Sequence, residues 1–207
     1  MKTWLDKKVF VFLAGIVDVL WISLLWYISS IFVFTAGCAM SSMYYTVHTR
    51  IFKGEGYIFP TYKKAFLDNF RKATLIWIIF ILLDSFLIFD FLLAAMAVRQ
   101  GSALAFLYYP VLVCIVIALM WQLSAFAYQA RFEDSVRSVL VKSAYIAFTN
   151  IGWMIFLTAI LAGLIVLCRY LIIIVVLLPG GYTCLLHYVF EHICKKAGWI
   201  EEDPAKD

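Results

Sequence analysis

Long apolar stretches follow one another along this chain, with few polar positions between them. Val9–Phe34, Ala73–Ala97 and Ala103–Tyr128 are each almost free of charge. Tyr145 to Ile193 is nearly continuous and is interrupted only by Arg169 and by Pro179-Gly180-Gly181. That stretch is too long for one helix, and dividing it at Cys168-Arg169-Tyr170 gives two runs near the ~20 residues that a bilayer-spanning helix needs. A further run, Ala36–Phe52, is more polar and about 17 residues long, at the lower limit for a span. The pattern predicts an all-α polytopic membrane bundle, a single integral membrane domain over residues 1–207. Its six spans fall near 9–34, 36–52, 73–97, 103–128, 145–167 and 171–193, and the arrangement with five spans leaves out 36–52.

Composition supports a lipid setting. Residues of hydrophobic type make up 65% of the chain and charged residues 14%, against roughly 45–50% and 25% in soluble domains. A core of this size cannot absorb so much apolar surface. A soluble enzyme, a secreted disulfide scaffold and a free nucleic-acid binder are therefore excluded. The five cysteines are scattered in apolar runs without metal-ligand spacing, and read as small hydrophobes. Lys2, Lys7 and Lys8 ahead of Val9–Phe34 resemble a signal peptide. The apolar run is too long for a cleavable one, so it is expected to stay as a permanent span.

The placement of positive charge decides the number of spans. With five, Lys2, Lys7 and Lys8 join Arg99 and Arg169 outside; with six, only Arg99 and Arg169 remain there. Lys and Arg concentrate on the cytoplasmic side. The rule favours six spans with both termini cytoplasmic, in a multi-pass protein of the plasma membrane. The small residues of Ala36–Ser42 also suit close helix packing.

Two cytoplasmic segments, 53–72 and 129–143, are amphipathic. Pro60 can open a helix, since its missing N–H falls where no partner exists. Tyr62, Phe66 and Phe70 then recur every four residues, with Lys63, Lys64, Arg71 and Lys72 opposite. Such a helix suits the headgroup level, aromatics inserted and cations on anionic lipid. In the second segment Phe132, Val136, Val139 and Leu140 form one stripe. Partner or lipid-headgroup contact is expected at Tyr62, Lys63, Lys64, Phe66, Asn69, Phe70, Arg71, Lys72, Arg131 and Phe132.

The stretch Ser23-Leu24-Leu25-Trp26, then Phe34-Thr35-Ala36-Gly37, Met43-Tyr44-Tyr45 and the aromatic, lysine-rich run Tyr62–Ala73, resembles the YesL family of bacterial membrane proteins. Ala130-Arg131-Phe132 and Leu178-Pro179 are similar to its later landmarks. The prolines that the family carries near Phe32 and Cys38 are missing here. The resemblance implies an accessory protein of the bacterial cell membrane, associated with carbohydrate importers of the ATP-binding cassette class. It implies no catalytic residue.

Few residues carry chemistry. At 1.5 Å per residue, Asp18 lies about 15 Å beyond Lys8, and Asp84 about 18 Å beyond Lys72. Both fall near the middle of a ~30 Å hydrocarbon core, where carboxyls are functional candidates by default. They could share a proton, join the first and third spans, or be neutral carboxyls hydrogen-bonded locally. No basic partner is expected at that depth, and Asp90 lies nearer the outer surface. His187, Glu191 and His192 sit at the cytoplasmic end of the last span. His187 and Glu191 share a face that a metal could use, but the sequence shows no further ligand, and a polar interfacial cluster is expected. Neither a metal nor any other cofactor is expected. Pro179, Gly180 and Gly181 predict a kink or break in mid-span. Broken helices form binding sites in transporters, while a packing kink is the plainer reading. No phosphate loop, nucleophile elbow or metal quartet is present.

These features favour a non-enzymatic accessory or assembly subunit of an oligosaccharide importer. It would bind permease subunits and membrane lipid through its helices. The alternative is an autonomous carrier using Asp18, Asp84 and the Pro179 break; a membrane enzyme ranks third. No nucleic-acid partner is expected.

Overall fold

Strings of apolar residues without helix breakers form helices here, and the few breakers mark their ends. The computed structural model describes residues 2–199, with side chains for 13–102, 105–171 and 174–199. The side chains of Lys2, Lys7 and Lys8, and the tail from Glu201 to Asp207 with its Lys206, lie outside the described residues. Among those described, every regular element is helical. Helix α1 (Lys2–Ser29) is followed, after a short turn, by the 3₁₀ segment Val33–Thr35, which leads into α2 (Ala36–Thr46). Val47–Phe52 continues α2 as a π turn. Then come α3 (Ile58–Arg99), the 3₁₀ segment Ala103–Leu107, α4 (Tyr108–Arg131), α5 (Val136–Thr149), α6 (Ile151–Leu167) and α7 (Ile172–Lys196).

Three helices are long and apolar enough to cross a membrane: Ile58–Arg99, Ala105–Arg131 and Ile174–Lys196. The pair α5–α6 makes a fourth if counted as one broken span. Ala36–Phe52 differs most from the spanning helix expected of it. At 1.5 Å per residue its length is about 25 Å, short of a ~30 Å hydrocarbon layer. It is also a core element: Gly37, Cys38, Ala39, Ser41, Ser42, Met43, Tyr44 and Thr46 are all buried, and α2 touches α1, α3, α4 and α7.

Small residues make that position possible. A Cβ built on Gly37 would stand 2.4 Å from Cβ of Trp77, so α2 and α3 meet at a distance only glycine permits. Ser42 and Thr46 donate to the carbonyls of Cys38 and Ser42 one turn back, at 2.7 and 2.8 Å. Their hydroxyls are thus satisfied within the helix.

Residues 53–72 and 73–97 are not separate elements. From Thr61 to Arg99 the sequence holds neither glycine nor proline, and α3 runs through both as one helix of 42 residues. Pro60 lies in its first turn. Its aromatic stripe also faces inward rather than toward headgroups. Tyr62 is buried, with Phe66 packed beside it against Ile22, Met43 and Val47, and its hydroxyl meets that of Ser29 at 2.6 Å. Apolar contact with α1 and α2 therefore replaces contact with lipid.

The expected span 145–167 begins later, at Ile151. Asn150 leaves helical geometry (φ −118°, ψ 40°), and its amide side chain donates to the Ile146 carbonyl at 3.2 Å, competing with the backbone ladder. The axes of α5 and α6 diverge by 94°. Segment 129–143 is divided between the end of α4, the loop 132–135 and the start of α5. At that loop Asp134 accepts from Tyr128 Oη (2.5 Å) and Lys142 Nζ (2.8 Å). The Lys142 ammonium, followed by the Tyr128 hydroxyl, holds its carboxyl below the usual carboxylate range.

The Gly37 contact is testable. Gly37→Ala should lower stability by roughly 1–3 kcal/mol through overpacking against Trp77. Gly152→Ala, with open space around it, should gain about 0.5–1 kcal/mol from helix propensity. Thermal unfolding of both variants in one detergent, followed by circular dichroism, separates the two signs.

Candidate functional site

The π turn places the histidine that completes a polar cluster. An α-helix carries Val47–Phe52 round at 3.6 residues per turn; the wider π turn changes which face each side chain occupies. His48 thereby points at α7, where His187 and Glu191 stand one turn apart. His48 Nδ1 lies 2.7 Å from His187 Nε2. Glu191 Oε1 lies 3.8 Å from the first nitrogen and 3.7 Å from the second. Both histidines are buried, and the Glu191 side chain is 14% exposed.

Arg131, the last residue of α4, closes the cluster. Its Nε donates to Glu191 Oε1 at 2.5 Å and its Nη2 to Oε2 at 3.3 Å. The carboxylate is thus gripped on both oxygens by a guanidinium, the geometry of a strong charge-assisted pair. The Phe52 ring stacks on His187 at 4.0 Å, and Tyr44 stands 5.4 Å from the same imidazole. Tyr44 also lines an apolar pocket of about 300 Å³ bordered by α1, α2, α4, α6 and α7. His48, His187 and Glu191 offer three metal-ligand atoms within 4.8 Å of one another.

The sequence placed His187 and Glu191 together and found no third ligand; the structure supplies His48. A signal was present, because Ala36–Phe52 and the last span were both expected to end on the cytoplasmic side, which brings residue 48 level with residue 187. The rotation made by the π turn was not legible. His192 takes no part, being exposed with its ring edge against Trp153. Arg131 and Phe132, expected as outward contacts, are engaged internally. Arg131 holds Glu191, and Phe132 stacks on Tyr128 at 4.5 Å.

The two carboxyls expected in mid-membrane have separate partners. Asp18 Oδ2 accepts from Arg50 Nε at 3.2 Å, so the basic partner thought missing at its depth comes from the π turn. The pair borders a cleft of about 400 Å³ with Trp21, Leu25 and Tyr57 on its walls. Asp84 accepts on both oxygens from Gln122 Nε2, at 2.7 and 2.8 Å. It joins α3 to α4, not the first span to the third. Asp90 is half-buried on α3.

Pro179 does not break α7, which runs continuously through it. Proline withholds the N–H that would bond the carbonyl four residues earlier, and Tyr27 Oη supplies that donor to the Val175 carbonyl at 2.6 Å. The Gly180 N–H donates to Ser23 Oγ at 3.0 Å. A Cβ on Gly180 would fall 2.7 Å from both Ser23 Oγ and the Val19 carbonyl, so glycine here permits close approach of α1. Gly181 has open space around its Cα.

Asn69 donates to the Ala65 carbonyl within α3 (3.2 Å). Phe70 is half-buried, 5.7 Å from Phe66. Lys63, Lys64, Arg71 and Lys72 are exposed.

Breaking the Arg131–Glu191 pair from one side should cost more than removing both charges. Arg131→Gln leaves an uncompensated carboxylate in a largely buried site, a loss of roughly 3 kcal/mol. Arg131→Gln combined with Glu191→Gln should recover a substantial part of that loss. A double-mutant cycle on unfolding in detergent measures the coupling; strictly additive effects would contradict it.

Residues 19–91 match the family model described as a protein of unknown function, DUF624. The match takes in His48, Arg50 and Asp84, and stops before Arg131, His187 and Glu191. No curated protein and no solved structure matches the chain.

Proposed function

We propose that this chain is an accessory or assembly subunit of an oligosaccharide importer of the ATP-binding cassette class in the bacterial plasma membrane. In this reading it crosses the membrane six times with both termini cytoplasmic, α2 with its π turn as a short passage enclosed by the other helices and the bent α5–α6 pair as one broken passage. The importer class rests on the resemblance of Ser23–Ala73 to the YesL family. The observation that carries a binding role is the rigid charged ridge at the start of α3. Lys63, Lys64, Leu67, Asp68, Arg71 and Lys72 are exposed, while Ala65 among them and Tyr62 just before them are buried. A ridge so anchored meets a partner without first being ordered, which lowers the entropic cost of binding.

The carrier reading is less favoured. Asp84 has both oxygens engaged by Gln122, and the carbonyl freed by Pro179 is capped by Tyr27. Asp18, the remaining part, is paired with Arg50.

Purification from native membranes in a mild detergent should recover permease subunits together with this chain. Reversing the ridge with Lys63→Glu, Lys64→Glu, Arg71→Glu and Lys72→Glu should abolish that recovery while leaving the membrane level of the chain unchanged. A wild-type chain that always runs alone overturns the proposal. For the topology, reporter domains fused to either terminus should be active only in the cytoplasm.

A further inference from the structure

We propose that His48, His187 and Glu191 bind one divalent first-row transition-metal ion, with Arg131 positioning the carboxylate. This stands apart from the importer reading and does not depend on it.

The geometry fits an ion. The circle through three ligand atoms separated by 2.7, 3.8 and 3.7 Å has a radius of about 2.0 Å, close to the 2.0–2.2 Å of zinc–imidazole and zinc–carboxylate bonds. An ion near the centre of that triangle reaches all three atoms at bonding distance once the two imidazole rings turn from each other toward it. Two imidazoles and a carboxylate suit first-row divalent ions better than calcium or magnesium, which prefer oxygen alone. Three protein ligands leave a position open for water or a small anion.

The surroundings fit as well. Metal-binding residues are held by partners of their own: Arg131 grips Glu191 through Nε on Oε1, the ligand atom itself, and Nη2 on Oε2, which leaves Oε1 a further lone pair for an ion, and Phe52 lies flat against His187. The 2.7 Å contact between His48 Nδ1 and His187 Nε2 needs a proton on one of them. When that proton shifts to the far side of its ring or leaves, two lone pairs face each other across the gap, and a cation drawn in beside them replaces the hydrogen bond. The third ligand also comes from a π turn, an irregularity frequent at functional sites.

The full chain in detergent, stripped by a chelator and dialysed, is titrated with Zn²⁺ by calorimetry. One equivalent per chain is expected. His48→Asn and His187→Gln keep a polar atom near the ligating nitrogen and so spare the fold, but should weaken binding more than about 100-fold, beyond the 10–100-fold typical of outer-shell losses. His192→Gln should bind as the wild type does. No binding by the wild type, or equal binding by the two ligand variants, overturns the proposal. A second measurement needs no variant. Co²⁺ added to the stripped wild-type chain should give the intense visible bands of a four- or five-coordinate nitrogen and oxygen site. The weak spectrum of hydrated Co²⁺, or a thiolate charge-transfer band pointing to a cysteine such as Cys194, overturns it too.

Discussion

A helix enclosed by four others, with almost no lipid contact, cannot be held there by hydrophobicity alone, because lipid tails are as apolar as the side chains around it. What fixes α2 is proximity of backbones. Gly37 lets it lie against Trp77 of α3, and a series of Ala, Ser and Cys residues keeps its other faces narrow. The longer helices take their positions around this short one. Where α2 ends, the chain must turn back toward α3, and the π turn falls at that point.

Polar contacts do the remaining fastening, each where the backbone or a charge would otherwise lack a partner in a medium without water. Tyr27 and Ser23 of α1 satisfy the carbonyl and the amide beside Pro179. Gln122 of α4 holds Asp84 of α3. Arg131 of α4 holds Glu191 of α7. Each bond joins two different helices, so the polar minority of the sequence sets the arrangement of the apolar majority.

Much of the fold was legible because apolar length and helix breakers are local properties. The helices covering 73–97 and 103–128 and the helix start at Pro60 follow from such signals, whereas Pro179, expected to kink or break the last span, sits inside a continuous α7. What was not legible depended on direction in space. The Tyr62–Phe66–Phe70 stripe has the same spacing whether it meets lipid or α1 and α2, and only the presence of buried α2 decides between them. Residue counting places Arg50 with the cytoplasmic charges and so leaves Asp18 without a basic partner. The depth of a long side chain at the end of a short helix does not follow from residue counting. The candidate site was half visible: His187 and Glu191 declared themselves at i,i+4, while His48 needed both the topology and the rotation of a π turn.

That turn links the two charged regions of the structure. Residues two apart in a helix point to nearly opposite sides, and within the same turn His48 faces α7 while Arg50 faces α1. The turn is pinned from both directions, by an imidazole pair on one side and an ion pair on the other. An α-helical register would rotate these residues by tens of degrees and could not keep both contacts at their present lengths. The π geometry is therefore best understood as the register in which Asp18 and the α7 cluster are satisfied together.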